Sequence, residues 1–450
     1  MKQEALFGVG GEGGVEEGGG TREPRTGPRR LRQAVRDQVG FQSCTLNELL
    51  GEDHEARIVW EYVCGLDLAA LREAIQAVEG GPGHAPADPR ILMALWLYAT
   101  LRGVGSAREL NRLCVEHAAY RWLCGGVTMN YHTLADFRTA HVELLDGLLT
   151  ASTASLLSAG LVTLERVAQD GVKVRASAGA ASFRRQPTLA AALVAAEEQV
   201  ARLRAEVAAD PGAGRTRQQA ARERAAEERT ERIGAALAQL PRIAAAKKAK
   251  DRSQARASTT DPDARVMKMG DGGYRPAYNV QLATAAGSQV ITGVAVTNAG
   301  GDQGQLAPMI AQHQERYGET PREALADGGF VKRADLDLVS PPQGGTTVYA
   351  PVMPSKDPAR DAHTPRADDS PAVAAWRQRM ATDAAKTIYR ERAATAECVN
   401  AWARNHGLRQ LVVRGLRKVK AVVLWYALAH NLMRAVALRA AAAGVAGSAV

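Results

Sequence analysis

A change of periodicity at residue 161 limits what this chain can fold into more than any other feature. From about Thr45 to Gly160 apolar residues recur near the helical period, with glycine or proline breaks at short intervals. Examples are ILMALWLYATL at 91 to 101, SARELNRLC at 106 to 114 and HTLADFRTAHVELL at 132 to 145. LVTLERVAQDGVKVRA at 161 to 176 then reads as two short β-rich runs broken at Asp170-Gly171, the first strand signal after the helical stretch. Strand signals return at AYNVQLAT (277 to 284) and SQVITGVAVTN (288 to 298), joined through Ala285-Ala286-Gly287 as an antiparallel hairpin. Two more follow, REALA leading into Asp327 and TTVYAP at 346 to 351. Any sheet made from these runs must close around an Ala-, Glu- and Arg-rich segment, 183 to 257. There Leu189, Leu193, Ala196, Val200, Leu203 and Val207 alternate spacings of four and three, a heptad seam. A break at Asp210-Pro-Gly-Ala-Gly separates it from a second helix carrying Ile233, Leu237 and Leu240, which is expected to stop before Pro241. The expected class is α/β: a helical N-terminal domain (45–160), then a mixed-sheet domain (161–440) interrupted by the helical hairpin 183–257. A disordered basic arm (1–44) precedes them and a tail (441–450) follows.

Charge narrows the partners. Lys and Arg number 57 against 48 Asp and Glu, a net +9, and the isoelectric point is near 9.4, which favours a polyanion over a neutral or acidic surface. Nucleic acid is the first candidate. Six arginines (Arg22, Arg25, Arg29, Arg30, Arg32, Arg36) stand against Glu23 in the stretch after a glycine-rich run, and a basic arm of this kind neutralises phosphates as well as it serves as a solvated linker. GSARELNRLCVEHAAYRWLCGG reads as two short helices followed by a third capped by Thr133, which can present a helix to a DNA groove or serve for packing and dimerisation. Trp96, Trp122 and His117 are expected in the core. The five cysteines form no Cys-x-x-Cys pair, which argues against zinc and against a disulfide framework. With no uncharged apolar run of about 18 residues and no apolar signal core, a cytoplasmic, nucleoid-associated location off the membrane is expected.

Three acids stand out. Asp170 in RVAQDGVKV and Asp327 in REALADGGF each follow a short apolar run and precede glycine, so each is expected at a strand's carboxyl edge, facing a crevice. Glu397 lies in YRERAATAECVNAWAR, on a helix otherwise lined with arginines and small apolar residues. Phosphodiester chemistry calls for hard cations on both sides of the scissile phosphate, and Mg2+ or Mn2+ is held by carboxylates, waters and substrate phosphate. Three convergent carboxylates suffice. Asp271 and Asp302, in the glycine-rich GDGGYR and GGDQGQ, are the rival aspartates, and Glu391, flanked by arginines that can pair with it, rivals Glu397. His430 and Asn431 sit in the apolar ALAHNLM and read as packed groups. No acid follows Glu397, and Arg404, Arg409, Arg414, Arg417, Lys418 and Lys420 suggest that its helix continues into a basic surface.

Over nearly its whole length the chain resembles the DDE transposases of bacterial insertion sequences. The likeness rests on DPRILMALWLYATLRGVGSARELNRLC, AQDGVKVRASAG, RVMKMGDGGYRPAYNVQLAT, LADGGF, YRERAATAECVNAWARNHGL and GLRKVKAVVLWYALAHNLMR. The resemblance implies an RNase H-like catalytic core, with Asp170, Asp327 and Glu397 as its metal-binding triad. Tyr389, Arg392, Glu397 and Arg404 match the family's C-terminal signature of Tyr, Arg, Glu and a basic residue seven positions on. Arg404 stands where Lys is usual, and the Arg392 to Glu397 gap is one residue longer than the commonest form. DNA contacts are expected from Tyr389, Arg392, Arg404, Arg414, Arg417, Lys418, Lys420, Arg29, Arg30 and Arg32. The implied activity is binding to the element's terminal repeats, then metal-dependent strand cleavage and transfer on double-stranded DNA, by a homodimer in the synaptic complex. A catalytically idle DNA-binding remnant and a helical scaffold assembled through the heptad hairpin are the alternatives. Retention of all three carboxylates argues against an idle site.

Overall fold

The structure, a computed structural model, describes residues 43–77, 85–209, 217–341, 344–355 and 359–447. The expected basic arm, with Arg29, Arg30 and Arg32, and the break at 210 lie outside the described residues.

Helices precede the sheet: α1 (Glu55–Cys64), α2 (Ala69–Glu73), α3 (Pro89–Leu101), α4 (Ala107–Glu116), α5 (Ala118–Cys124), α6 (Tyr131–Ala140) and α7 (Val142–Ser158). Asp88 opens α3 by accepting the Arg90 N–H at 2.8 Å, with Pro89 in the first turn where its missing N–H costs nothing. Apolar on every side, α3 is buried almost throughout, Trp96 included. Two local expectations fail. The cap of α6 is Asn130, accepting the His132 N–H at 2.9 Å, and Thr133 lies inside the helix. His117 is exposed, because its ring serves as the cap of α5 by accepting the Ala119 N–H at 3.2 Å, and Trp122 is half-buried.

The strands are β1 (Arg166–Arg175), β2 (Phe183–Arg184), β3 (Ala257–Ser258), β4 (Arg265–Lys268), β5 (Tyr274–Ala285), β6 (Ile291–Thr297), β7 (Glu323–Leu325) and β8 (Thr347–Tyr349). The main sheet runs β4-β5-β1-β7-β8, with β6 also paired to β5. β5 is antiparallel to β1, β4 and β6, whereas β1, β7 and β8 are mutually parallel. The hairpin through Ala285-Ala286-Gly287 forms as expected, and Asn431 plugs its irregular end by pairing with both the N–H and the carbonyl of Ile291 at 2.8 Å.

The structure departs from the sequence pattern in three places. β1 is one strand that passes straight through Asp170-Gly171, with Asp170 opposite Leu282 and Gly171 opposite Gln281, so Asp170 is not at a strand end. Helix α9 (Arg217–Ala245) runs past Pro241 for four more residues. The excursion around α8 (Gln186–Ala209) and α9 is not wholly helical, since β2 pairs with β3 at its base. Leu189, Ala196, Ile233, Ala236 and Leu240 bury the seam between α8 and α9, while Val200, Leu203 and Val207 are only half-buried.

After β6 come α10 (Leu306–Tyr317), α11 (Arg333–Val339), α12 (Pro371–Ala381), α13 (Asp383–Arg392), a π-helical turn (Ala393–Glu397), α14 (Cys398–Asn405) and α15 (Leu416–Gly447). Val172, Val174, Tyr278, Val280 and Leu282 on one sheet face share a continuous core with α3, α14 and α15. On the other face Val167 and Ala283 meet Met309 of α10. By length and composition α15 could cross a membrane, but 67% of its apolar window is buried inside the fold, as in a core helix.

Candidate active site

Asp170 shares its sheet face with Val172 and Val174, so the strand's period of two turns its carboxylate toward the helices that cover this face. Oδ1 accepts the Gly171 N–H at 3.0 Å and Arg392 Nη2 at 3.1 Å, and Oδ2 accepts Asn400 Nδ2 at 2.9 Å. Arg392 also donates through Nη1 to Glu397 Oε1 at 3.1 Å, so one guanidinium spans two carboxylates from distant parts of the chain. Asp327 follows β7 as expected and caps the short turn Gly328–Phe330, accepting the Gly329 N–H at 2.7 Å.

The electrostatics tie the third acid to the other two. Burial raises the Asp170 carboxyl above its ordinary range; Arg392 opposes the shift, and the charge of Asp327 adds to it. Burial works against the charge on Arg392, yet Asp170, followed by Tyr389, Asp327 and Glu397, holds its pKa above the ordinary value. The half-buried Tyr389 phenol is raised first by burial, with the charges of Asp327, Glu397 and Asp170 adding to that and Arg392 opposing it. Tyr389, Arg392 and the three acids therefore share one electrostatic neighbourhood.

The π-helical turn explains how they share it. An α-helix brings residues four apart to one face, while a π turn advances five residues for the same return. Arg392 and Glu397 are five apart and the turn between them is π-helical, so the extra residue is absorbed and Glu397 returns to Arg392, which itself reaches Asp170. Asn400, three beyond Glu397 and buried, completes this face; its place in an otherwise apolar helical turn was the signal that sequence reasoning passed over. The rivals lie elsewhere. Glu391 pairs with Arg166 of β1 at 2.6 Å, not with its flanking arginines, and Asp271 pairs with Arg275 in an exposed turn. Asp302 lies beneath Gly171 on the opposite sheet face. His430 is buried and bonded to the Gln289 carbonyl, a packed group as expected.

The basic surface differs from the expectation. The helix carrying Glu397 ends at Asn405, and a turn separates it from α15. Arg409 hydrogen-bonds back to the Arg404 carbonyl and Arg414 to that of Ser177, at 3.0 and 3.3 Å. Arg417 pairs with Glu143 and Lys420 with Asp146, both on α7, so their charge is partly compensated. Arg404 and Lys418 are exposed.

Asp170, Asp327 and Glu397 offer only carboxylate oxygens, the donors that suit a hard divalent cation. Among the described residues no three His, Cys, Asp or Glu side chains are gathered closely enough to hold a metal, and the Arg392 guanidinium stands between Asp170 and Glu397. The donor chemistry fits such an ion, with arginine now supplying the countercharge.

Residues 355–436 match a family model described as a transposase DDE domain, and residues 45–140 match one described as a transposase domain. The first takes in Tyr389, Arg392, Glu397 and Asn400, and the second takes in α1 to α6; Asp170 and Asp327 lie outside both. No curated protein and no solved structure matches the chain. Two separate stretches of the chain are thus similar to transposase domains, the later one to a transposase DDE domain.

Proposed function

We propose that the protein binds the terminal inverted repeats of its own insertion sequence, cuts the DNA strands there and joins the freed ends to target DNA, acting as a homodimer in the nucleoid. Asp170, Asp327 and Glu397 are its catalytic carboxylates, and they would hold Mg2+ or Mn2+. A bound divalent ion supplies Lewis acidity at the scissile phosphate. The chain's own residues do the rest. Asn400 and Arg392 fix the rotamer of Asp170, and Arg392 offers a planar fork suited to a phosphate. The observation that carries this reading is the single guanidinium reaching both Asp170 and Glu397, 222 and five residues away in sequence. The antiparallel β5 beside the parallel set β1, β7 and β8 supports an RNase H-like catalytic domain.

The alternative, an idle DNA-binding remnant, predicts end binding without cutting. Incubating the full chain with labelled element-end DNA and Mg2+, with and without chelator, separates the two. Strand cleavage that disappears on chelation is expected; end binding with no cleavage under any divalent ion would establish the remnant instead.

A further inference from the structure

We propose that Asp302–Gln305 is a brace that sets the position of Asp170 relative to Asp327. This rests on the reading of those two acids as catalytic. One end of the brace grips β1 from the sheet face opposite Asp170. Gln169, the residue before Asp170, donates through Nε2 to the Gln305 carbonyl and to Gln281 Oε1, both at 3.0 Å. Asp302 fills the space over Gly171, the residue after Asp170: a methyl group there would lie 2.2 Å from Asp302 Oδ1 and 2.5 Å from Gln281 Nε2. Asp302 Oδ1 accepts Asn279 Nδ2 and Gln281 Nε2, each at 2.7 Å, while Lys173 Nζ stands 4.0 Å from Oδ2. Gln169, Asn279 and Gln281 are all buried, so each amide depends on these partners.

The other end grips the chain after Asp327. Gln303 Nε2 donates to the Val331 carbonyl at 3.1 Å, and the Lys332 side chain lies along Gly304, whose φ of +85° lets the segment turn between its two attachments. Asp327 holds the same turn from within through Gly329. β1 and β7 pair only from Arg166 to Ala168 and from Glu323 to Leu325, so neither acid lies within that ladder. The four-residue brace links the backbone on both sides of Asp170 to the turn that Asp327 caps. Gly171 is required by Asp302, not by a chain reversal.

The test uses the full chain and Mn2+ binding followed by electron paramagnetic resonance, alongside affinity for element-end DNA. Gln303 is exposed, so Gln303→Ala removes one surface hydrogen bond without threatening the fold. Outer-shell partners of metal ligands typically matter by roughly 10- to 100-fold in metal affinity. Asp302 and Gln303 act one step further from the ligands, so the expected rise in half-saturating Mn2+ is at or below the low end of that scale, about threefold or more for Gln303→Ala and roughly tenfold for Asp302→Ala, with end-DNA affinity within about twofold of wild type. Gln303→Lys, which keeps a donor, and Asp302→Asn, which keeps an acceptor, should recover most of the loss. If Asp302→Ala does not fold, Gln303→Ala decides alone. Asp170→Asn is the control: should it leave Mn2+ binding at the wild-type value, the metal-site reading fails and the brace's function with it. Weakened binding in that control, with every folded alanine variant matching wild type, would overturn the brace alone.

Discussion

At the scale of the residue, burial keeps two histidines neutral below the pH at which they would ordinarily take up a proton. His313 lies fully buried, with Nδ1 donating to the Met309 carbonyl and Nε2 paired to the Thr292 hydroxyl, each at 2.8 Å. Burial lowers its pKa from 6.5 to about 4, and His430 is lowered to about 4 for the same reason. The sign follows from linkage. A depressed folded value means the unfolded chain binds the proton first, so stability present above 6.5 is lost as pH falls toward 4. Each histidine should cost on the order of 2 kcal/mol between pH 7 and pH 5. Urea unfolding of wild type and His313→Gln at both pH values checks this: the variant, less stable at pH 7, should show a smaller pH-dependent loss. An unchanged loss would mean that His313 already titrates normally in the fold.

At the scale of the element, the π-helical turn Ala393–Glu397 is the device that matches the sequence to the site. Deleting Ala393 should restore a continuous α-helix with Arg392 and Glu397 four apart and still within reach of each other, so cleavage should stay within a few-fold of wild type. Inserting one alanine at the same place should separate their faces and abolish cutting. A folded deletion variant that no longer cuts would show that the π turn does more than restore phase. This region also shows how far sequence reaches. Glu397 was legible because it is an acid on an arginine-rich helix, and Asp327 because its apolar run does end there. The strand through Asp170 was not. Glycine after aspartate reads as a turn, and the group that requires Gly171, Asp302, is 131 residues further along the chain. Pro241 misled for a related reason: local propensity stops a helix at proline, but α9 has its apolar seam on both sides, Ile233 and Leu237 before and Ile243 and Ala244 after.

At the scale of the whole molecule, α15 joins the helices before β1 to one face of the sheet in a single core, so the matched segments 45–140 and 355–436 pack together. The same helix limits which cations remain free for DNA. Arg417 and Lys420 are engaged by Glu143 and Asp146, while Lys418 is exposed beside them. Lys418→Ala should therefore weaken element-end binding almost uniformly across sequences and lower the salt slope by about one unit, and Arg417→Ala should lower it less. Binding titrations across salt would decide; an Arg417→Ala slope falling as far as that of Lys418→Ala would mean that the pair with Glu143 opens on DNA. As proposed above, Asp170, Asp327 and Glu397 act as one catalytic set. The most direct measurement is strand cleavage of element-end DNA in Mg2+ by wild type, Asp170→Asn, Asp327→Asn and Glu397→Gln, each first shown to be folded and to bind the end. Binding in all four proteins and cutting in wild type alone are expected; cutting at the wild-type rate by any one of the three variants would overturn the shared role of these acids.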